Sequence, residues 1–265
     1  MKELIVRGIS GILYISIIII AMFASREWFI LLFFILGLIT INEFQKLIKL
    51  SSYVSYILFA VLLFFLGYKV IDINPVYVYS LLAIFVNLFL LRDLLVVHKI
   101  PMFENKKYIA LIFYLMSGFV FLTLIPHREN GDQIVIGLFI LVWANDSFAY
   151  LIGKNFGKRK LLERISPKKT VAGFNGGLVG SLLAGFLIFN FTQSLSLAMW
   201  LTLSIIASVL GTFGDLIESK FKRQAGVKDS GSLMPGHGGI YDRLDSILYI
   251  SPFVYALLEF VDHVS

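Results

Sequence analysis

The chain has 265 residues, of which 58% are hydrophobic and 15% charged, with a mean hydropathy of +0.86 and a formal net charge of +6. Soluble globular proteins are about 45–50% apolar and about 25% charged, so this composition excludes an ordinary soluble domain and predicts an all-α polytopic integral membrane protein. The absence of cysteine excludes disulfides, thiolate metal ligands and cysteine nucleophiles. A basic excess on a membrane protein is typical of its cytoplasmic loops, so we expect no nucleic-acid partner.

Charged residues and Pro-, Gly- or Asn-rich breaks divide the chain into apolar segments of the length that a membrane-spanning helix needs, about 17–25 residues. The first segment follows Lys2 and Arg7 and has no small-residue cleavage pattern behind it, so we interpret it as a retained span and not as a signal peptide. We predict about nine spans, at residues 8–24, 28–42, 51–68, 74–91, 108–126, 133–152, 175–191, 195–217 and 240–261.

The positions of Lys and Arg predict the orientation of these spans. Of the 23 such residues, only Arg26, Lys69 and Arg128 fall on one side of the nine-span arrangement. By the positive-inside rule the N-terminus is then cytoplasmic and the C-terminus lies outside. We divide the chain into N-terminal helices, residues 1–130 with about five spans, and C-terminal helices, residues 131–265 with about four spans. The second part contains the cytoplasmic loops 153–174 and 218–239.

An acidic residue lies inside the sixth predicted span. Asp146 precedes Gly153 by seven residues, which places it about 10 Å below the cytoplasmic surface at 1.5 Å per residue. An ionised carboxylate at that depth costs at least about 2.5 kcal/mol, so we expect it to face a wet cavity, a cation or a base. The alternative is a structural acid paired with one lysine or with a neighbouring helix.

Two further pairs of acids, each spaced by three residues, lie at helix ends. Asp215 and Glu218 follow the eighth span, and Asp242 and Asp245 begin the ninth, because the uncharged residues after Asp245 are too few to span by themselves. Clustered carboxylates suit a hard cation, and we predict Mg²⁺. A second cation, monovalent or divalent, stays open. The metal interpretation is favoured for Asp215 and Asp242, whereas helix caps or salt bridges fit Glu218 and Asp245 equally well.

The first cytoplasmic loop is basic and leads into glycines. Lys168, Lys169 and Thr170 precede a predicted helix start, and lysines and backbone amides at such a place suit phosphate binding. Lysines that face anionic headgroups are the alternative. For Gly180 we favour close packing between helices.

The second loop places Gly238 and Gly239 after His237, and glycines there allow a ligand to approach the backbone closely. We interpret His237 as a phosphate or substrate contact, with a general base or a simple loop hydrogen bond as alternatives. Carboxylates for a divalent cation beside cations for phosphates indicate phosphoryl or nucleotidyl transfer.

The segment from Ser219 to Asp245 resembles the signature of the phosphatidate cytidylyltransferases, also called CDP-diacylglycerol synthases. It contains Ser-x-x-Lys-Arg, Lys-Asp, Pro-x-His-Gly-Gly and Asp-Arg-x-Asp in that order. Met234 stands where that family usually has Leu, Ile or Phe. The run that begins with Asp146 and the run Ser-Pro-Lys-Lys-Thr from Ser166 are similar to two further family blocks, so the resemblance covers about residues 143–246.

The resemblance implies Mg²⁺-dependent transfer from CTP to phosphatidic acid, which gives CDP-diacylglycerol and pyrophosphate. It implies a multi-pass protein of the bacterial cytoplasmic (inner) membrane, whose active site faces the cytoplasm, and a homodimer. The implied metal ligands are Asp215, Asp242 and Asp146. The implied catalytic residues are Asp146, Asp215, Asp242, Asp245, Lys228 and His237. The implied substrate-binding residues are Ser166, Lys168, Lys169, Thr170, Ser219, Lys222, Arg223, Asp229, Gly238, Gly239 and Arg243.

Two other functions fit parts of the sequence. An ion-coupled transporter would explain the intramembrane Asp146 and the broken apolar segments, but the predicted charged groups lie almost wholly on one side. A nearer alternative is another CTP-dependent lipid enzyme, either a prenol kinase or a cytidylyltransferase that acts on an archaeal-type ether lipid.

Overall fold

The computed structural model describes residues 2–264 apart from Pro235 and His237, and the side chains of residues 2–10, 12 and 264 lie outside that description. The helices within it are α1 (Lys2–Ala24), α2 (Arg26–Leu47), α3 (Val54–Leu62), α4 (Ile73–Val96), α5 (Glu104–Ala110), α6 (Ser117–Leu124), α7 (Gly131–Phe156), α8 (Val171–Thr192), α9 (Leu197–Ala225) and α10 (Tyr241–Val264). A π-helical segment, Leu63–Tyr68, extends α3, and a second, Leu111–Met116, joins α5 to α6. A 3₁₀ turn, Ile125–His127, follows α6 and ends this continuous helical segment.

The strands β1 (Lys160–Leu162) and β2 (Ser166–Thr170) pair antiparallel between α7 and α8, with Lys160 opposite Thr170 and Leu162 opposite Ser166. This hairpin marks one end of the helix bundle, which we call the hairpin end. The acids predicted from the sequence lie on helices that reach this end, so the fold brings distant parts of the chain to it.

Seven helices in the described part of the chain are long and apolar enough to cross a membrane: Arg26–Leu47, Ile73–Val96, Glu104–His127, Gly131–Phe156, Val171–Thr192, Leu197–Ala225 and Tyr241–His263. Two shorter apolar helices, Leu13–Ala24 and Val54–Tyr68, fall on two further predicted spans. The all-α polytopic membrane fold is therefore confirmed. The number nine and the sides of the two termini stay predictions.

Polar side chains begin four of these helices. Ser25, Asp72, Thr170 and Ser196 precede α2, α4, α8 and α9, and each accepts a hydrogen bond from a backbone N–H of the first turn, over 3.0–3.3 Å. Each bond satisfies an amide that has no partner within the helix, which stabilises the helix by about 1 kcal/mol. The cap at Thr170 fixes the point where the hairpin passes into α8.

A cluster of four buried aromatic residues joins three helices near the hairpin end. The ring of Phe44 on α2 lies 5.2 Å from Phe221 on α9, 5.6 Å from Tyr241 on α10 and 5.9 Å from Tyr114, measured between centroids. The hydroxyls of Tyr114 and Tyr241 form a hydrogen bond of 2.6 Å. Because these rings are almost completely buried, they fix the ends of α2, α9 and α10 against one another.

Helices α7 and α8 approach closely because α8 presents glycines to α7. A Cβ atom added to Gly177 would lie 2.5 Å from Oδ1 of Asn145, and one added to Gly180 would lie 2.6 Å from Cβ of Phe148. The predicted packing role of Gly180 is confirmed. This contact holds α7, and with it Asp146, against the start of α8.

A buried lysine completes the C-terminal end of α4. Lys220 of α9 is 2% exposed, and its Nζ donates to the carbonyl oxygens of Asp93, Leu94 and Val97 at 2.6, 3.4 and 2.7 Å. The last carbonyls of a helix have no partner within it and carry partial negative charge, so a cation stabilises them. The side chain of Asp93 is paired with Lys106 at 2.6 Å.

The two predicted loops contain more regular structure than the sequence predicts. Helix α9 continues from the predicted boundary at 217 to Ala225, so the first part of the loop 218–239 is helical. The loop 153–174 contains the end of α7, the hairpin and the first turn of α8. A fall in hydropathy along the sequence indicates where contact with lipid ends. The helices continue beyond that point because their charged side chains form hydrogen bonds and ion pairs within the protein.

Candidate active site

Three carboxylates meet at the hairpin end. Asp215 and Glu218 lie one turn apart on α9, Asp245 lies on α10, and one oxygen from each is within 4.8 Å of the others. Glu218 is 1% and Asp245 is 9% exposed. We call these three residues the acid group. Buried carboxylates at such distances repel one another unless a cation or hydrogen-bond donors offset their charge.

The acid group fits a hard divalent cation. Oε1 of Glu218 is buried and has no hydrogen-bond partner among the residues that the structure describes. An unpaired buried carboxylate oxygen is costly, and oxygen ligands of this kind are what Mg²⁺ prefers. Asp215, Glu218 and Asp245 are therefore the described residues best arranged to hold such an ion.

Asp242 is not a member of this group. Its Oδ1 lies 2.6 Å from Nζ of Lys222, and its Oδ2 accepts from the amide and hydroxyl of Ser230, both at 2.9 Å, and from the amide of Gly239 at 2.7 Å. Of the sequence-based metal set, Asp215 belongs to the acid group, Asp242 belongs to this second arrangement, and Asp146 belongs to neither. Metal ligation by Asp242 stays a prediction, while in the described structure its carboxylate folds the second loop onto the start of α10.

Lys222 connects the two arrangements. Besides Asp242, its Nζ lies 2.7 Å from Oε2 of Glu218, and the side chain is buried. The charge-assisted bond to Asp242 joins α9 to α10, whereas the bond to Glu218 lies within α9, one turn away. Lys222 therefore lies beside the acid group, and its substrate-binding role stays a prediction.

Asp146 lines two cavities. The first, which we call the hairpin cavity, has a volume of about 230 Å³, and its lining includes Asp146, Lys168, Lys169, Thr170, Gly173 and Asp215. The second, the α1 cavity, has a volume of about 210 Å³, and its lining includes Tyr14, Trp143, Asp146, Asp242, Arg243 and Asp245. Asp146 thus borders both cavities.

The hairpin cavity is positively charged along one wall. Nζ of Lys169 lies 2.6 Å from Oδ2 of Asp215, whose Oδ1 accepts from the hydroxyl of Ser219 at 3.3 Å. Lys168 is exposed beside it, and Thr170 caps α8 through the amide of Gly173. The positive end of α8 and the two lysines suit a group of phosphates. Ser166, at the start of β2, lies outside this lining.

The remaining predicted residues lie at the rim or beyond it. Arg223, Lys228 and Asp229 are exposed, and Nη1 of Arg223 donates to the carbonyl of Val227 at 3.0 Å. Gly238 forms a two-bond bridge with Met234. The amide of Gly239, as noted, donates to Asp242. His237 lies outside the described residues, so its predicted role as a contact or a base has no structural counterpart here.

Two residues near the site are absent from the sequence-based prediction. Tyr14 of α1 lines the α1 cavity, and its buried hydroxyl has no hydrogen-bond partner among the described residues. Glu43, at the end of α2, is 6% exposed and contacts the start of α10. A tyrosine in an apolar run and an acid at the end of a span are common in membrane helices. Apart from the polar side chain itself, nothing in the sequence therefore indicates that Tyr14 or Glu43 lies near the site.

Comparison with known proteins gives one family. Residues 5–261 match the model of the cytidylyltransferase family. A phosphatidate cytidylyltransferase of Bacillus subtilis (strain 168) is 33% identical over 268 residues, which cover 97% of each chain.

Staphylococcal relatives match a shorter region. A phosphatidate cytidylyltransferase of Staphylococcus saprophyticus is 45% identical over 152 residues, which cover 55% of this chain and 58% of that relative. One of Staphylococcus aureus (strain COL) is 44% identical over 147 residues, which cover 55% of each. In these two comparisons the chain thus spans little more than half the length of the relative.

Proposed function

The chain belongs to the cytidylyltransferase family, and on that premise we propose that it transfers the cytidylyl group of CTP to phosphatidic acid, giving CDP-diacylglycerol and pyrophosphate. It is then a nucleotidyltransferase of phospholipid biosynthesis. The observation that carries the proposal is the acid group, of which Asp215 lines the hairpin cavity beside two lysines and Asp245 lines the α1 cavity beside Arg243. The helices that carry these acids are long enough to span a membrane. Phosphoryl-transfer sites likewise combine carboxylates that hold a divalent cation with cationic side chains that neutralise the phosphates.

The proposed metal ion is Mg²⁺, held by Asp215, Glu218 and Asp245. Oε1 of Glu218 has no hydrogen-bond partner among the described residues, which supports this assignment over one in which the three acids form only salt bridges. When bound, the ion would offset negative charge on the phosphates of CTP. Asp242 would then act on the site through Lys222, which it holds next to Glu218.

The hairpin cavity is the proposed site of the CTP phosphates. Lys168 and Lys169 would neutralise the phosphate oxygens, and the N-terminal end of α8 would donate backbone amides to them. Lys169 is paired with Asp215, so the cation that meets the nucleotide also contacts the acid group.

The α1 cavity is the proposed site of the phosphatidic acid headgroup. Arg243 and Tyr14 supply a cation and a hydroxyl at its polar end, and Ile15, Phe139 and Val142 give it an apolar wall for the start of the acyl chains. Because Asp146 borders both cavities, the two substrates would meet beside it. An oxygen of the lipid phosphate forms a bond to the α-phosphorus of CTP as the bond to the β-phosphate oxygen breaks, and pyrophosphate leaves with that electron pair. The attacking oxygen is already anionic, so no strong base is required.

The proposed location is the bacterial cytoplasmic membrane, with the hairpin end in the cytoplasm. The support is the distribution of Lys and Arg, of which only Arg26, Lys69 and Arg128 fall on the opposite side of the predicted arrangement. We also propose a homodimer, which rests on the family resemblance alone.

Transfer of label from CTP tests the function. The purified protein, supplied with CTP labelled in the cytidine, should yield lipid-extractable label only when both phosphatidic acid and Mg²⁺ are added. A panel of a prenol and an ether-linked phosphatidic acid analogue distinguishes the nearer alternatives. Faster labelling of either compound than of phosphatidic acid would replace the proposed substrate, and release of CDP with a phosphorylated prenol would show a kinase.

A further inference from the structure

Glu43 lies 198 residues before the start of α10 in the sequence, and its side chain contacts that start directly. Its Oε2 accepts from the amide of Tyr241 at 2.8 Å, and its Oε1 accepts from the amide of Ile240 at 3.2 Å. Glu43 as a residue is 6% exposed, so these hydrogen bonds form away from bulk solvent. Glu43 therefore satisfies two of the unpaired amides at the start of α10, from a different helix.

The same carboxylate reaches the residue that binds Asp242. The hydroxyl of Ser230 lies 3.2 Å from Oε2 of Glu43 and 2.9 Å from Oδ2 of Asp242. A hydroxyl has one proton, so it donates to one of the two carboxylates at a time. Glu43 and Asp242 are thus coupled through Ser230, and a change at Glu43 changes how firmly Asp242 is held.

The surrounding backbone is shaped to admit Glu43. A Cβ atom added to Gly239 would lie 2.5 Å from Oε2 of Glu43, so a larger residue at that position would displace the carboxylate. On the other side, the neighbouring Phe44 packs against Tyr241 and Phe221 in the aromatic cluster. The position of Glu43 is therefore fixed both by its own helix and by the loop that it supports.

We propose that Glu43 is a positioning residue of the active site. It sets the start of α10 and the second loop, and thereby the places of Asp242, Arg243 and Asp245, without lining either cavity. The inference rests on the proposed function for its kinetic consequence, whereas its structural consequence is independent of any activity. The two can be tested separately.

Hydrogen exchange tests the structural part. In Glu43→Ala, the amides of residues 240 and 241 lose their acceptor and should exchange faster, as measured by mass spectrometry on peptides that cover residues 238–248, while peptides from α8 exchange as in the original chain. Unchanged exchange at residues 240 and 241 in a folded variant would overturn the proposal, whatever the protein catalyses.

Kinetics test the functional part. Glu43→Gln keeps the shape of the side chain and one acceptor oxygen, so kcat should fall about tenfold, and in Glu43→Ala about a hundredfold, since a displacement of about 1 Å at a reacting group has effects of that size. KM for CTP should stay within about twofold, because the hairpin cavity does not include Glu43. A rise in KM for CTP at unchanged kcat would contradict positioning of α10.

Gln45→Ala is the matched control for general loosening of α2. Gln45 is 4% exposed on the same helix end, but its Oε1 accepts from the amide of Ser52 on the connection to α3. We expect this variant to lower the thermal midpoint while kcat stays within about twofold. If Gln45→Ala loses as much kcat as Glu43→Ala, the loss comes from general loosening of α2, and the proposal that Glu43 positions the active site is wrong. If the original chain shows no cytidylyl transfer, the proposed function fails and the exchange experiment alone decides on Glu43.

Discussion

The ammonium of Lys169 on β2 lies 2.6 Å from Oδ2 of Asp215 on α9, so the hairpin contacts the acid group directly. The pair joins a lysine of the first cytoplasmic loop to an acid at the end of the eighth predicted span. It means that a cation proposed for the nucleotide and a ligand proposed for the metal ion are neighbours. Each can therefore be tested through the other.

Replacing Lys169 should weaken CTP binding. In Lys169→Met, KM for CTP is expected to rise roughly tenfold, because a hydrogen bond to a charged group contributes about 1.5–3 kcal/mol, while KM for phosphatidic acid changes little. Initial rates with each substrate varied in turn measure both constants. Lys158→Met, an exposed lysine before β1 and outside the cavity lining, is the control. A selective rise in KM for phosphatidic acid would reverse the assignment of the two cavities.

Removing the hydroxyl of Tyr14 should affect the other substrate. Tyr14→Phe leaves the ring in the α1 cavity and removes one donor, so we expect KM for phosphatidic acid to rise about 2–10-fold, with KM for CTP unchanged. The control is Tyr53→Phe, since Tyr53 is 86% exposed. Equal KM values for phosphatidic acid in Tyr14→Phe and the original chain would place the lipid headgroup elsewhere.

Glu218→Gln should weaken Mg²⁺ binding. A ligand that binds the folded state raises its thermal midpoint, and at 100 times its Kd it stabilises that state by about 2.7 kcal/mol. We expect Mg²⁺ to raise the midpoint of the original chain and to have much less effect on Glu218→Gln. Glu104→Gln, at an exposed residue that pairs with Lys107, should respond like the original chain. A full response to Mg²⁺ in Glu218→Gln would exclude this residue as a ligand.

Asp242→Asn separates the sequence-based metal prediction from the observed contacts. If Asp242 acts by holding Lys222, the variant loses kcat and keeps the Mg²⁺ dependence of its thermal midpoint, because the acid group is intact. If the sequence-based prediction is correct, the Mg²⁺ response is lost together with kcat. The comparison with Glu218→Gln, under the same conditions, decides between the two roles.

Gly177→Ala should destabilise the contact between α7 and α8. The added Cβ would lie 2.5 Å from Asn145, which must move, and overpacking of this kind typically costs about 1–3 kcal/mol. Gly211→Ala is the matched control, because its nearest heavy atom would be at 3.6 Å and alanine is the better helix former by about 1 kcal/mol. Thermal unfolding should therefore show opposite shifts, and a stabilised Gly177→Ala would contradict close packing at this helix pair.

Hydropathy predicted the helices because a chain in lipid must satisfy its backbone hydrogen bonds within each span. It also predicted the start of α10 near residue 240, since the uncharged stretch after Asp245 was too short. It did not predict that α9 continues to Ala225. Within that extension Lys220 contacts carbonyls of α4 and Lys222 contacts carboxylates of α9 and α10, and hydropathy contains no sign of these contacts.

The sequence predicted which residues belong to the site better than it predicted which of them contact one another. Spacing along α9 and α10 identified Asp215, Glu218, Asp242 and Asp245, because residues three apart share a helix face. Which of them would meet depends on the rotation of two helices about their own axes, which a sequence pattern leaves open. Contacts such as that of Glu43 join residues far apart in the chain, so one sequence carries no local sign of them.

The contact of Lys220 with the C-terminal end of α4 and the contact of Glu43 with the N-terminal end of α10 are alike in that each joins a charged side chain to the end of a distant helix. Lys220, from the second half of the sequence, brings positive charge to the C-terminal end of a helix in the first half, and Glu43, from the first half, brings negative charge to the N-terminal end of a helix in the second. Without the other half, each half of the sequence would therefore have one charged side chain and one helix end that lack these hydrogen-bond partners. Residues 131–265 expressed alone would lack Glu43 at the start of α10 and would leave Lys220 without the carbonyls of α4.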